Sequence, residues 1–135
     1  MSNLLERVKE HEGFRSKVYK CTEGFDTIGY GFAIKDLELD EDICELILKR
    51  KIGSLKLRID QRFDWFKETP TEAQDVIIEM CYQLGINGFS KFKKTIQHII
   101  NKDFRSAAVE MLQSKWASQT PNRAKKLSKE LKYVK

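Results

Sequence analysis

The sequence is poor in the features that build membrane spans and disulfide frameworks. It contains no apolar run near the roughly 20 residues of a membrane-crossing helix, and it does not start with a basic and apolar leader. We therefore predict that the protein has no membrane span and is made in the cytoplasm without a signal peptide. Its three cysteines, Cys21, Cys44 and Cys81, are an odd number with scattered spacing, which excludes a disulfide framework.

Metal-ligand spacing is also missing from the sequence. His11 and Glu12 begin the pattern His-Glu-x-x-His, but Arg15 stands where the second histidine would have to be. There is no Cys-x-x-Cys pair either, so we predict that no metal is bound. Cys44 and Cys81 lie on apolar helical stripes, and we expect both to be buried, unreactive thiols.

The N-terminal third of the chain predicts a helix followed by a small sheet. Asn3 and Glu6 have the spacing of a capping box, and Gly13 is expected to end the helix that they start. Residues from 17 to 32 alternate as strands do, with turn residues at 22–24 between them. The pattern is typical of a β-hairpin or a three-stranded antiparallel sheet.

The rest of the chain predicts helices. A long helix is expected to start after Asp40, and a capping box over residues 69–72 with Pro70 at the first helical position is expected to start the next one. That helix would bury the apolar stripe around Cys81 and end at Gly85. Further helices should begin after Ser90, after Asp103 and after residues 120–121, and the 135 residues suffice for one domain.

The most informative motif lies in residues 12–32, EGFRSKVYKCTEGFDTIGYGF. Eight residues separate Glu12 from Cys21, and five separate Cys21 from Thr27. This spacing resembles the active-site hairpin of the phage-type lysozymes, glycoside hydrolase family 24, whose pattern is Glu, eight residues, Asp, five residues, Thr. Cys21 stands in place of the family's catalytic Asp.

Two later segments carry the same resemblance in the same order. MCYQLGINGFSKF at 80–92 and QTPNRAKKL at 119–127 are similar to helical segments of the T-even phage lysozymes, and the pair Lys115 and Trp116 lies between them. The resemblance implies an α+β, lysozyme-like fold as a single domain over 1–135. A small lobe with its connecting helix would comprise 12–60, a helical lobe would comprise 1–11 and 61–135, and a cleft between the lobes would hold peptidoglycan.

The resemblance also implies a reaction and the residues that perform it. The reaction is hydrolysis of the β-1,4 bond between N-acetylmuramic acid and N-acetylglucosamine, with inversion at the anomeric carbon. Glu12 would be the acid, Cys21 would act from the opposite side, and Thr27 would position water. The substrate-binding candidates are Gln83, Arg123, which would also orient Glu12, Thr95 and Gly31. No cofactor is expected, because carboxyl chemistry and positioning suffice.

Cys21 leaves the mechanism open. A free thiol has a pKa of about 8.5, so it is only partly ionised at neutral pH, and a nearby cation such as Arg123 could lower that pKa. The thiolate could then direct water or attack the anomeric carbon itself. The alternative is a catalytically silent lysozyme-like protein that still binds peptidoglycan. Asp26 is a second carboxylate beside Thr27, but strand alternation should point it to the opposite face.

The net charge of +5 is concentrated near the C-terminus and predicts an anionic partner. Nucleic acid is a rival partner, but aromatic residues do not interleave with the charges as they do in single-strand binders. We therefore predict peptidoglycan as the partner, no nucleic acid and a monomer. The role implied by the resemblance is that of a phage endolysin that reaches the wall after holin-type release. The basic residues are Arg123, Lys125, Lys126, Lys129, Lys132 and Lys135.

Overall fold

The fold was analysed in a computed structural model that describes residues 3–135. Within that range seven α-helices and a three-stranded antiparallel sheet confirm the predicted α+β, lysozyme-like fold. The helices are α1 (Leu4–Glu12), α2 (Glu41–Arg62), α3 (Thr71–Ser90), α4 (Lys93–Ile100), α5 (Phe104–Met111), α6 (Lys115–Gln119) and α7 (Pro121–Lys132). The strands are β1 (Arg15–Lys20), β2 (Asp26–Gly29) and β3 (Phe32–Ala33).

The chain forms two compact units, Met1–Glu45 and Leu46–Lys135. The first unit holds α1, the sheet and the start of α2, and the second holds the remainder of α2 and the other helices. The predicted lobe boundaries at 11/12 and 60/61 remain a prediction. Among the described helices none is long and apolar enough to cross a membrane.

Local signals account for the first unit. The Asn3 side chain accepts a hydrogen bond from the Glu6 backbone N–H at 3.2 Å, as expected of an N-cap. Gly13 ends α1 with a φ of 70° and donates its N–H to the Lys9 carbonyl at 2.9 Å. β2 is the central strand, paired with β1 on one side and with β3 on the other. Thr27, on β2, is the one buried residue among those described in this unit.

The second unit contains the hydrophobic core. Leu55 and Ile59 are the buried residues of α2, and they join apolar side chains from α3, α5, α6 and α7. Trp116, predicted to lie in the core, is buried, which confirms that prediction. The largest fully buried side chains of this core are Phe66, Phe89, Ile59, Ile77, Met80, Met111 and Leu131.

Two expectations about helix termini differ from the structure. The predicted capping box at 69–72 is wrong, because α3 starts at Thr71 with no side-chain cap. The Thr69 hydroxyl instead donates to the Trp65 carbonyl at 3.1 Å, in the preceding turn. Gly85 has a φ of 78° and interrupts α3, but a further helical segment follows it as far as Ser90. The short helix α6, capped by the Ser114 side chain, was not distinguished from the sequence.

Candidate functional site

The Glu12 side chain is positioned by the end of α1 and by a glycine of the sheet. Glu12 is the last residue of α1 and is exposed. Gly31, in the turn between β2 and β3, has a φ of 78°, and a Cβ atom added there would lie 2.5 Å from Glu12 Oε2 and 3.2 Å from Glu12 Cδ. The carboxyl group therefore lies directly against the backbone of Gly31. The side chain of any larger residue at position 31 would overlap this carboxyl group.

Cys21 lies where β1 turns into β2. Its N–H donates to the Phe25 carbonyl at 3.0 Å, and its carbonyl accepts from the Gly24 N–H at 2.9 Å, which closes a tight turn. The turn directs backbone N–H groups at the sulfur. Hydrogen bonding by the N–H of Phe25, and next by that of Glu23, lowers the pKa of the Cys21 thiol below its usual value.

The lowering of the Cys21 pKa thus comes first from hydrogen bonds within the hairpin itself. The Thr27 hydroxyl lowers this pKa further when its single proton turns from the Phe25 carbonyl to the anionic sulfur, whereas burial and the Glu23 carboxylate oppose the lowering. Converging N–H groups of this kind form a small anion-binding concavity. The position can therefore stabilise either a carboxylate or a thiolate.

Thr27 is brought next to Cys21 and has little exposure, at 4%. Its hydroxyl donates to the Phe25 carbonyl at 2.9 Å, and the same oxygen can still accept a hydrogen bond. Asp26 is exposed and forms an ion pair with Lys20 at 2.8 Å. The expectation that Asp26 points away from Thr27 is therefore confirmed, because Asp26 is exposed while Thr27 is buried.

In the second unit, Gln83 is oriented by Trp116. The Trp116 indole Nε1 donates to Gln83 Oε1 at 2.9 Å, while the glutamine itself is exposed. With its oxygen engaged, the amide nitrogen of Gln83 is the group left to donate to a ligand. No local pattern could have revealed this pair, since 33 residues separate its members.

Arg123, on α7, binds a residue that was not singled out from the sequence. Its Nε donates to Glu79 Oε2 at 2.9 Å, and the two side chains are 37% and 49% exposed. At that exposure such a pair typically contributes less than about 1 kcal/mol. Glu79 and Gln83 are four residues apart on α3, and this spacing is the signal that could have placed them on one helix face. The role of Arg123 in orienting Glu12 stays a prediction.

Thr95 and the remaining two thiols occupy different environments. Thr95 is 2% exposed at the edge of a cavity of about 370 Å³. Cys81 is buried, and burial raises the pKa of its thiol to about 12, as expected of an inert residue. Cys44 is exposed, so its predicted burial is wrong. Helical periodicity placed Cys44 on an apolar stripe, but its neighbours Ile43 and Ile47 are exposed as well. Within residues 3–135 no three His, Cys, Asp or Glu side chains group as metal ligands would.

Comparisons with known proteins match sequence in both units. The model of the family described as Phage lysozyme matches residues 9–131. The chain is 27% identical to Probable T4-type lysozyme 1 and 28% identical to Probable T4-type lysozyme 2, both of Dictyostelium discoideum. Each of these alignments covers 94% of this chain and 92% of the relative. The chain is also 23% identical to Pre-baseplate central spike protein Gp5 of Enterobacteria phage T4, over 93% of this chain and 27% of that protein.

Proposed function

The chain belongs to the phage lysozyme family, and on that premise we propose that it is an endolysin-type muramidase. Its substrate is bacterial peptidoglycan, and the bond cleaved is the β-1,4 linkage between N-acetylmuramic acid and N-acetylglucosamine. The observation that carries this proposal is the close contact between the Glu12 carboxyl and the backbone of Gly31. The same unit supplies a turn that stabilises an anion at Cys21. An acid and an anionic partner are the two groups that glycoside hydrolysis requires.

Glu12 acts as the general acid. Its proton passes to the glycosidic oxygen as the bond to the anomeric carbon breaks, so that the leaving sugar departs as a neutral alcohol. The direct contact with Gly31 leaves the carboxyl little freedom on that side. A fixed position matters, because misplacing a catalytic group by about 1 Å can cost roughly a hundredfold in rate.

The Cys21 thiolate acts on the opposite face of the sugar by one of two routes. It can accept the proton of a water molecule that attacks the anomeric carbon, which inverts the configuration. It can instead form a bond from Sγ to the anomeric carbon. Water then breaks that bond while the Glu12 carboxylate takes the proton of the water, and the configuration is retained. In either route the N–H groups of Phe25 and Glu23 stabilise the anionic sulfur.

Thr27, Gln83 and Arg123 support the reaction. Thr27 Oγ1 lies against Cys21 and has acceptor capacity left to hold the attacking water. The Gln83 amide nitrogen donates to the saccharide, since Trp116 engages the oxygen of that amide. Arg123 orients Glu12, and Thr95 and Gly31 contact the saccharide. The protein acts as a monomer after holin-type release and causes lysis of the host cell.

The test is the release of reducing ends from purified sacculi. Glu12→Gln keeps the size of the side chain but removes the proton donor, and we expect a loss of about a hundredfold or more. Glu10→Gln is the matched control, because Glu10 is an exposed residue of the same helix. Equal rates in Glu12→Gln and Glu10→Gln would remove Glu12 from the mechanism.

A second candidate function is a catalytically silent peptidoglycan-binding protein. It is favoured by the thiol at position 21, which is a weaker acid than the carboxyl group it replaces. In that case the parent protein would bind sacculi without cleaving them. Restoring the family's residue with Cys21→Asp would then create activity that the parent lacks, whereas an active parent excludes this candidate.

A further inference from the structure

A cavity of about 360 Å³ lies between α2 and the segment that leads into α3, within the second unit. Four of its lining residues recur on one face of α2, at positions 53, 56, 57 and 60. A Cβ atom added at Gly53 would meet no atom within 4 Å, so no other side chain fills the space beside it. None of the lining residues belongs to the set proposed for catalysis and saccharide binding.

Asp60 is the acidic side chain of this cavity. Its Oδ1 is buried without a hydrogen bond, and within residues 3–135 no other buried side-chain oxygen or nitrogen is left in that state. Neither Lys56 nor Lys67, which line the same cavity, forms an ion pair with Asp60 in that part of the chain. Buried polar groups are normally paired, because an acceptor without a donor is costly. Asp60 as a whole is partly exposed, so its carboxylate is available to a ligand that donates hydrogen bonds from the cavity.

Gln74 adds a second acceptor to the cavity. Its Nε2 donates to the Phe66 carbonyl at 2.9 Å, which fixes the amide and leaves Oε1 as the atom that accepts. Lys56 and Lys67 are exposed, and each brings a positive charge to the rim. A primary ammonium has three donors and no acceptor, so it suits Asp60 and Gln74, whereas an anionic group suits the two lysines. The cavity therefore matches a ligand that carries both charges.

The spacing of these groups sets the distance between the two charges of the ligand. Lys56 and Asp60 are four residues apart on α2, which places their Cβ atoms about 5–6 Å from each other. An α-amino acid has a single carbon between its ammonium and its carboxylate, and this is too short to match that separation. An ammonium joined through two carbons to a phosphate ester is longer, and its free phosphate oxygens can each accept from one lysine.

We propose that this cavity binds a phosphoethanolamine group, with its ammonium on Asp60 and Gln74 and its phosphate between Lys56 and Lys67. Such a group occurs both as the head group of a phospholipid and as a soluble compound. Leu57, which is 66% exposed and lines the same cavity, is an aliphatic side chain that a lipid bilayer would cover. The inference does not depend on the proposed muramidase activity.

Related ligands lack one half of this match. An anion alone would meet the lysines but would bring a second negative charge next to Asp60, and an ammonium alone would leave both lysines unpaired. Phosphocholine carries the same two charges, but its nitrogen bears three methyl groups and no N–H. It therefore cannot donate to Asp60 or Gln74, and the difference between the two compounds isolates the contribution of these acceptors.

The test titrates the full chain with phosphoethanolamine, phosphocholine and glycine. Amide chemical shifts of residues 53, 60 and 74 in the NMR spectrum report binding. The variant is Asp60→Asn, which keeps the shape of the side chain but removes its charge and replaces one acceptor oxygen by a donor. Asp64→Asn is the matched control, since Asp64 is an exposed acid four residues further along that does not line the cavity. Because Asp60 has no partner within residues 3–135, Asp60→Asn should not lower Tm, which separates lost binding from lost folding.

We expect saturable shifts with phosphoethanolamine in the parent protein. The affinity should fall about tenfold in Asp60→Asn, as the loss of one hydrogen bond between charged groups implies, and should stay unchanged in Asp64→Asn. Equal affinity for phosphocholine or for glycine would overturn the inference. So would equal affinity in Asp60→Asn and the parent, a lower Tm of that variant, or shifts that do not saturate.

Vesicles distinguish the two sources of the group. Sedimentation of the protein is compared between vesicles of phosphatidylcholine alone and vesicles that also contain phosphatidylethanolamine, both of which carry no net charge. A preference for phosphatidylethanolamine that Lys56→Gln with Lys67→Gln loses supports the lipid head group, provided that Lys125→Gln with Lys126→Gln, two exposed lysines of α7, keeps it. An equal loss in both double variants would overturn the assigned role of Lys56 and Lys67. Saturable binding of soluble phosphoethanolamine without any vesicle preference supports the site with the soluble compound as its ligand.

Discussion

Gly31→Ala tests whether the position of the Glu12 carboxyl, set by its contact with Gly31, controls kcat. An added Cβ would lie 2.5 Å from Glu12 Oε2, about 0.9 Å short of an ordinary van der Waals contact. The variant also carries backbone strain, because Gly31 has a φ of 78° and a left-handed conformation costs a non-glycine residue about 1–2 kcal/mol. The carboxyl is at the end of a flexible side chain and will therefore move.

A displacement of nearly 1 Å predicts a fall in kcat of up to about a hundredfold. The assay is reducing-end release from sacculi, accompanied by thermal unfolding to measure the loss of stability. Gly85→Ala is the matched control, since Gly85 lies in α3, has the same φ of 78° and has no atom within 4 Å of an added Cβ. If the two variants lose stability and kcat equally, backbone strain explains the effect and the reasoning about Glu12 is refuted.

Three further predictions concern the thiol and the C-terminal charge. Cys44 is exposed, so alkylation is tested in a Cys44→Ser background. Alkylation of Cys21 should abolish activity there, whereas the Cys21→Asp variant should stay active. The acid limb of the pH–activity profile should lie at lower pH in Cys21→Asp, because a carboxyl group ionises at lower pH than a thiol. Retained activity after alkylation would make the thiol a bystander. Thr27→Val removes a hydrogen bond that lowers the Cys21 pKa, so the pH midpoint of the Cys21 alkylation rate should rise. An unchanged midpoint would count against a hydrogen bond between Thr27 and Cys21. Neutralising three C-terminal lysines should weaken sacculus binding mainly at low salt, and a loss independent of salt would contradict this. They are Lys129 and Lys132 of α7 and Lys135 beyond its end.

The lowered pKa of Cys21 also predicts how stability depends on pH. In the window between the folded pKa and the unfolded value near 8.5, the unfolded chain binds more protons than the folded one. The contribution of this group is therefore fully present above the unfolded pKa and is lost as pH falls through the folded pKa. Chemical unfolding of parent and Cys21→Ala across this window would reveal the difference, and parallel curves would contradict it.

Local chemistry allowed several elements to be predicted from the sequence. The Asn3 cap, the stop at Gly13, the turn at 22–24 and the start of α2 depend on the chain's own neighbouring residues. The direction of Asp26 follows from strand alternation alone. The spacing of Glu12, Cys21 and Thr27, together with the segments at 80–92 and 119–127, indicated the family, because each of these motifs lies in a short stretch of sequence.

Tertiary structure decided which faces are covered and which distant groups meet. Periodicity placed Cys44 and Cys81 on similar apolar stripes, yet Cys81 is buried by packing and Cys44 is exposed. The contacts of Trp116 with Gln83 and of Arg123 with Glu79 join residues 33 and 44 positions apart. A sequence determines which side chains share one face of a helix or strand. Whether that face meets core, solvent or a partner depends on how the elements pack, and only the folded chain specifies that.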